Sequence, residues 1–163
     1  MLTDAYNYKQ WADQRTLDAI LGIDSVRFPS EAAFVCQQLN HMVIVEESFR
    51  ARLQGLEEPH GVSNTEVIPA LAELSRRLDE SNAWFAHYVA DLEPEQRNET
   101  VSFQFVDGQR GSMTRQEMLF HIVNHGTYHR GAIGHALDLA RTPRPADTYT
   151  MFIHTVQPER RER

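Results

Sequence analysis

Apolar residues recur along most of this chain at three- and four-residue steps, the spacing of amphipathic helices, and switch once to strict alternation. From about Asp4 to Leu21, the positions Tyr8, Trp11, Ala12, Leu17, Ala19 and Ile20 fall near helical spacing, Leu17 less regularly, and Gly22 stands just beyond as a stop. After Arg27-Phe28-Pro29, Ser30 has the chemistry of an N-cap for a second helix. There Val35, Leu39, Met42, Val43, Glu46, Phe49 and Leu53 keep the spacing until Gly55, so the inner stripe carries one acid. A polar stretch with Pro59 and Gly61 leads to a third helix, from about Pro69 to Leu92, carrying Leu71, Leu74, Leu78, Trp84, Phe85 and Val89. Pro94 ends it.

The period then changes. Val101, Phe103 and Phe105 alternate with Ser102 and Gln104, and Asp107-Gly108 follows as a turn signal, which predicts a small hairpin. Thr114-Arg115-Gln116-Glu117 has capping-box spacing, and a fourth helix continues through Met118, Leu119, Ile122, Val123, Ala132, Ile133, Ala136, Leu137 and Ala140 to about Arg141. Pro143 and Pro145 close it, and the residues after Arg144 have only weak strand character at Tyr149 to Val156. The expectation is an all-α four-helix bundle with a small β-hairpin between helices three and four. At 163 residues the chain suits one domain, the bundle spanning about 3–141 and a tail 142–163.

Composition narrows the function classes. With 41% hydrophobic and 24% charged residues, and no apolar run near the roughly 18 residues a membrane span needs, the chain reads as soluble, without a membrane partner. Met1-Leu2-Thr3-Asp4-Ala5 shows no basic segment followed by an apolar one, so no signal peptide and a cytoplasmic location are expected. The single cysteine, Cys36, lies among Phe34, Val35 and Leu39 and reads as a buried inert thiol. A net charge of -7 opposes binding to a polyanion, and the one basic cluster, Arg160-Arg161-Arg163, is broken by Glu162. Nucleic acid is therefore not an expected partner.

The chemistry lies in the histidines. Of eight, His121, His125, His129 and His135 fall on the fourth helix. At about 100° per residue, His125 and His129 sit on or beside the core-facing arc, His121 at its edge and His135 outside it. An i, i+4 pair points both rings the same way, and neutral imidazole is a common ligand for zinc, nickel and iron. On the second helix His41 lies at the margin of the apolar arc, which permits a ligand role without requiring it. No His-Glu-x-x-His, glycine-rich phosphate loop or serine elbow is present.

Three separated segments resemble the DinB/YfiT-like family of metal-binding four-helix proteins. Tyr6-Asn7-Tyr8-Lys9-Gln10-Trp11-Ala12-Asp13-Gln14-Arg15 is similar to the family's Y-N-x-x-x-W-A-N-x-R opening. Leu39-Asn40-His41-Met42 through Phe49 and Arg52-Leu53-Gln54-Gly55 resembles its L-N-H-hydrophobic segment with an aromatic eight residues later. His121-Ile122-Val123-Asn124-His125-Gly126-Thr127-Tyr128-His129-Arg130-Gly131 looks like H-x-x-N-H-x-x-H-H-R-G-Q. Tyr128 stands where the family often has the first histidine of an adjacent pair, and Ala132 where glutamine is frequent. The resemblance implies that His41, His125 and His129 bind one divalent metal at the mouth of an up-up-down-down bundle, and that homodimers are common, so a homodimer is expected.

Three histidines leave at least one coordination position open, the mark of a catalytic rather than a structural site. The ion, zinc or nickel first and manganese or iron after them, could activate a low-molecular-weight thiol or a water. The resemblance implies a thiol-dependent S-transferase acting on a small molecule. The alternatives are a metal-dependent hydrolase and a non-enzymatic stress-response module with a structural metal. A DNA-binding reading conflicts with the acidic charge. Glu46 is a candidate base or second ligand-shell acceptor, or the partner of Arg15 or Arg130. Arg130 could hold an anionic substrate group or reach to solvent. Tyr6, Asn7 and Trp11 could line the site, although aromatics at this spacing are more often core.

Overall fold

A computed structural model describes residues 1–161; Glu162 and Arg163, the end of the basic tail, lie outside the described residues. Four long helices carry the fold: α1 (Leu2–Ile20), α2 (Pro29–Gln54), α3 (Leu71–Asp91) and α4 (Arg115–Leu139). α1 and α2 each pack on both α3 and α4. Strands β1 (Thr100–Gln104) and β2 (Arg110–Thr114) pair antiparallel between α3 and α4, with Val101 opposite Met113 and Phe103 opposite Gly111. Among the described residues, no helix is long and apolar enough to cross a membrane.

Local chemistry accounts for most of the boundaries. Thr114 caps α4 by accepting from the Glu117 N–H, while the Glu117 carboxylate accepts from the Thr114 N–H, so the capping box forms as expected. Gly55 ends α2 with φ 68°, its N–H and that of Leu56 returning to carbonyls of the last turn. Ser30 is not the cap of α2. Pro29, whose fixed φ suits the first helical position, starts the helix one residue earlier, and Phe28 holds the cap position with no side-chain bond.

The tail departs further from expectation. Tyr149–Val156 is not a strand but a helix, α5, opened by Thr148, whose hydroxyl accepts from the Met151 N–H. Its β-branched and aromatic residues favour strands in isolation, but no sheet edge is offered to them. Phe152 instead docks on Tyr8, Ala12 and Trp11 of α1, and burial of that ring decides the conformation.

The core is divided by a charged layer. Above it pack Leu17, Ile20, Leu39, Met42, Leu74, Leu78, Ile133 and Leu137; below it Tyr6, Phe49, Phe85, Val89, Met118 and Ile122, with Val101, Phe103 and Met113 of the hairpin against them. Between the two, each long helix contributes polar side chains. Lys9 of α1, fully buried, donates to Asp13 (2.7 Å) and to Asn82 of α3 (2.7 Å), and its ammonium lies 2.8 Å from Glu46 of α2. Asp13 also accepts from Arg130 of α4 at 2.7 Å, and Ser81 donates to Glu46. Burial works against the charge of Lys9, but Asp13 and Glu46 outweigh it and raise its pKa. Burial likewise opposes the Asp13 carboxylate, yet Lys9 and Arg130 hold its pKa below the usual range.

Gly126 serves this layer. A Cβ there would stand 2.9 Å from Nη1 of Arg130, so glycine lets the arginine fold back inside the helices. Removing one member of such a layer strands the others. Lys9→Met is expected to cost about 3–5 kcal/mol in urea unfolding at neutral pH, because Asp13 and Glu46 lose their shared cation while buried. A loss under about 1 kcal/mol would mean that the layer carries little weight.

Candidate metal centre

The charged layer fixes the heights of the helices, and at that height α2 and α4 bring three imidazoles together. The two helices run past each other in opposite directions: Gln38 meets His129, Phe49 meets His121, and the Leu53 carbonyl accepts from Arg115. Between these contacts His41, His125 and His129 converge, each offering a ring nitrogen, with all three nitrogens within 4.8 Å of one another. Nε2 of His41 and Nε2 of His125 are 3.1 Å apart. Nitrogens bound tetrahedrally at about 2.0–2.1 Å from one zinc ion stand at nearly that separation, so the donor set fits a divalent metal.

Tautomers are set from behind. Nδ1 of His41 donates to the Ser63 carbonyl at 2.6 Å, which leaves a lone pair on its Nε2. Nδ1 of His129 donates to Oε1 of Gln38 at 2.7 Å with the same result. The loop that carries Ser63 is itself pinned to α2, since Asn40 donates to Asn64 and, at 2.9 Å, to Thr65. Nδ1 of His125 is buried and has no partner among the described residues. The two imidazoles of α4 are also kept neutral. Burial first, then the neighbouring His129 and His41, push the His125 pKa down to about 3, and burial with His41 brings His129 to about 4.

The other candidates lie elsewhere. Glu46 is 1% exposed, and its partners are Lys9 and Ser81 rather than Arg15 or Arg130. Burial and the nearby Asp13 raise its pKa against the opposing pull of Lys9 and Ser81. Arg130 neither reaches solvent nor stands free for an anion: its side chain is 1% exposed and donates to Asp13, Thr127 and Asp147. Arg15 reaches the Ala146 carbonyl, with its guanidinium over Trp11. Tyr6 is core, stacked on Phe85 with its hydroxyl on the Leu119 carbonyl; Asn7 is exposed and Trp11 packs on Phe152. Cys36 is half-buried against the upper core, with its thiol pKa raised by burial. His121 stacks on His125 with ring centres 5.3 Å apart, beside the triad rather than away from it.

Gln38, Ser63, Lys9 and Asp13 escaped the sequence reading. The irregular apolar spacing of the first helix was the available signal, because Lys9, Asp13 and Thr16 complete its buried stripe.

Fold and site together define a helical protein whose three imidazoles are compatible with one divalent ion. The chain belongs to the DinB family, which matches residues 1–162. It is 23% identical to Protein DinB of Bacillus subtilis (strain 168) over 165 residues, an alignment covering 95% of each chain.

The depressed histidine pKa values have a signed consequence for protein stripped of metal. Unfolding restores imidazoles of ordinary pKa, 6.5, so the unfolded chain binds more protons between that value and the folded values of about 3 and 4. Stability contributed by the neutral rings is fully present above 6.5 and falls as pH drops through the window. Urea midpoints of the metal-free chain should therefore decline more steeply from pH 7 to pH 4 than those of His125→Asn; parallel declines would contradict the assignment. A second expected outcome concerns Gln38→Leu, which should weaken metal binding about 10–100-fold in competition with a chelator by freeing the His129 tautomer.

Proposed function

We propose that this protein is a metal-dependent enzyme that transfers a low-molecular-weight thiol to an electrophilic small molecule, with His41, His125 and His129 as the ligands of one divalent ion. The four long helices are read as the up-up-down-down bundle of the family, supported by the packing of α1 and α2 on both α3 and α4. An ion with three imidazole ligands would supply Lewis acidity at an open position, where a thiol sulfur or a water can bind. Zinc and nickel suit three imidazoles better than manganese does, with iron between them.

One observation favours sulfur over water. Among the described residues no carboxylate joins the histidine cluster, and Glu46, the base that hydrolysis would call upon, is held by Lys9 and Ser81 in the interior. A thiol needs no such base, since a nearby cation alone lowers its pKa. Sulfur then gives up its proton to solvent and forms the new carbon–sulfur bond with its lone pair. The electrophile's leaving group departs with the electrons of the broken bond. The chain's own part is to hold the protons on Nδ1 of His41 and His129, so that the lone pairs on their other ring nitrogens are left for the ion beside the nitrogen that His125 offers.

Elemental analysis of protein purified without a metal-affinity tag should find about one divalent ion per chain, lost in His125→Ala. Retention of stoichiometric metal in that variant would sink the ligand assignment. Conjugation of an electrophile to glutathione, bacillithiol or mycothiol should be abolished by His41→Ala. Turnover of an ester or amide without any thiol would favour the hydrolase instead.

A further inference from the structure

An open cleft of about 630 Å³ lies in the angle between β2 and the first turns of α4, and Met113, Glu117, Phe120, His121 and Asn124 are among the residues that line it. His121 ties this cleft to the candidate metal centre. Its ring is stacked on His125 at 5.3 Å and on Phe49 at 4.6 Å, which leaves an edge of the imidazole to line the cleft. Asn124, also in the wall, directly precedes His125 in the chain. The cleft therefore borders the triad.

Its apolar part is contributed by two side chains. Met113 is partly buried, resting on the lower core, whereas Phe120 is 67% exposed and stands outside the core clusters. A single exposed phenylalanine is ordinary on a protein surface. One that lines a concavity together with a polarisable thioether and an imidazole edge offers a flat ring a place to pack, since sulfur and ring edges both attract aromatic groups. Charge then selects among rings. Glu117 is the one carboxylate of the lining, and its Oε2 is fixed at 2.7 Å from the Thr114 N–H by the capping box. Neither lysine nor arginine lines the cleft to offset it, so a ring bearing an anionic group meets repulsion there without compensation.

We propose that this cleft seats the electrophile of the thiol transfer, and that the electrophile carries an uncharged or cationic aromatic group, packed on Phe120 and Met113 and screened by Glu117 against anionic rings. The assignment rests on the thiol-transfer reading above and adds to it the class of the second substrate.

The test uses the full-length, metal-containing chain with excess glutathione and three electrophiles: iodoacetamide, its N-benzyl derivative and its N-(para-carboxybenzyl) derivative. All three react by the same step. The sulfur lone pair forms the new carbon–sulfur bond, iodide leaves with the electrons of the broken bond, and the thiol proton passes to solvent. After subtraction of the uncatalysed rates, kcat/KM should be about 10-fold higher for the benzyl compound than for iodoacetamide, and about 10-fold lower again for the carboxybenzyl compound. Phe120→Ser should bring the first ratio near one. Glu117→Gln, which keeps an acceptor for the capping box, should bring the second near one. Binding is read separately with N-benzylacetamide, which has no leaving group and should shift the His121 ring resonances in NMR spectra with or without metal. Turnover with ratios near one in the unsubstituted chain, or ratios unmoved by both substitutions, would overturn the cleft assignment and leave the thiol reading standing. Resonance shifts without turnover of any of the three would overturn the thiol reading and leave an aromatic-binding cleft; neither turnover nor shifts would overturn both.

Discussion

The buried ammonium of Lys9 is the constraint on which the rest of the molecule depends. It sits between Asp13, Asn82 and Glu46, and Asp13 passes the contact on to Arg130, so that α1, α2, α3 and α4 all meet in one polar layer. Apolar surfaces tolerate sliding, because one leucine replaces another at small cost. Charges buried at this depth do not, since a helix shifted by one turn would leave a carboxylate or a cation without its partner. The layer therefore fixes the relative heights of the helices, and the apolar clusters above and below supply the stabilisation that offsets its desolvation.

Those heights put His41 of α2 opposite His125 and His129 of α4. Three imidazoles in one place are unfavourable company when protonated, and the depressed pKa values of His125 and His129 express that conflict. Neutral rings with lone pairs turned toward one another are what a divalent cation stabilises. The carbonyl of Ser63 and the amide of Gln38 complete the arrangement by holding the Nδ1 protons on the outside. Arg130, next in sequence to His129, turns toward α1 instead of α2 and is tied to Asp13 and to Asp147 of the segment leading to α5. Adjacent residues of one helix thus serve the site and the scaffold separately.

Much of this was legible in the order of residues. The four long helices, the hairpin, the capping box at Thr114 and the stop at Gly55 follow from local rules that act within a few residues. The inward placing of His125 and His129 follows from helical periodicity, because the two rings share one helix. Two boundaries differ from expectation, one through a neighbouring residue and one through a distant partner. Ser30 offered a plausible cap but Pro29 already supplied the geometry of a first turn, and Tyr149–Val156 became helical once Phe152 found Tyr8 and Trp11.

Glu46 and Arg130 show the same limit at the level of charge. Periodicity identified Glu46 as an inward acid, but the identity of its partner depends on which helices are neighbours, and Lys9 was hidden in an apolar stripe that looked merely irregular. Periodicity is a property of one helix and survives in the sequence, whereas pairing across helices depends on relative height and rotation, which no single segment encodes. The chain's order of residues accordingly determines which side chains turn inward and that two histidines act together. Only the packing of α2 against α4 adds His41 to that pair, and only contacts with α1 and α3 draw Glu46 and Arg130 into the scaffold.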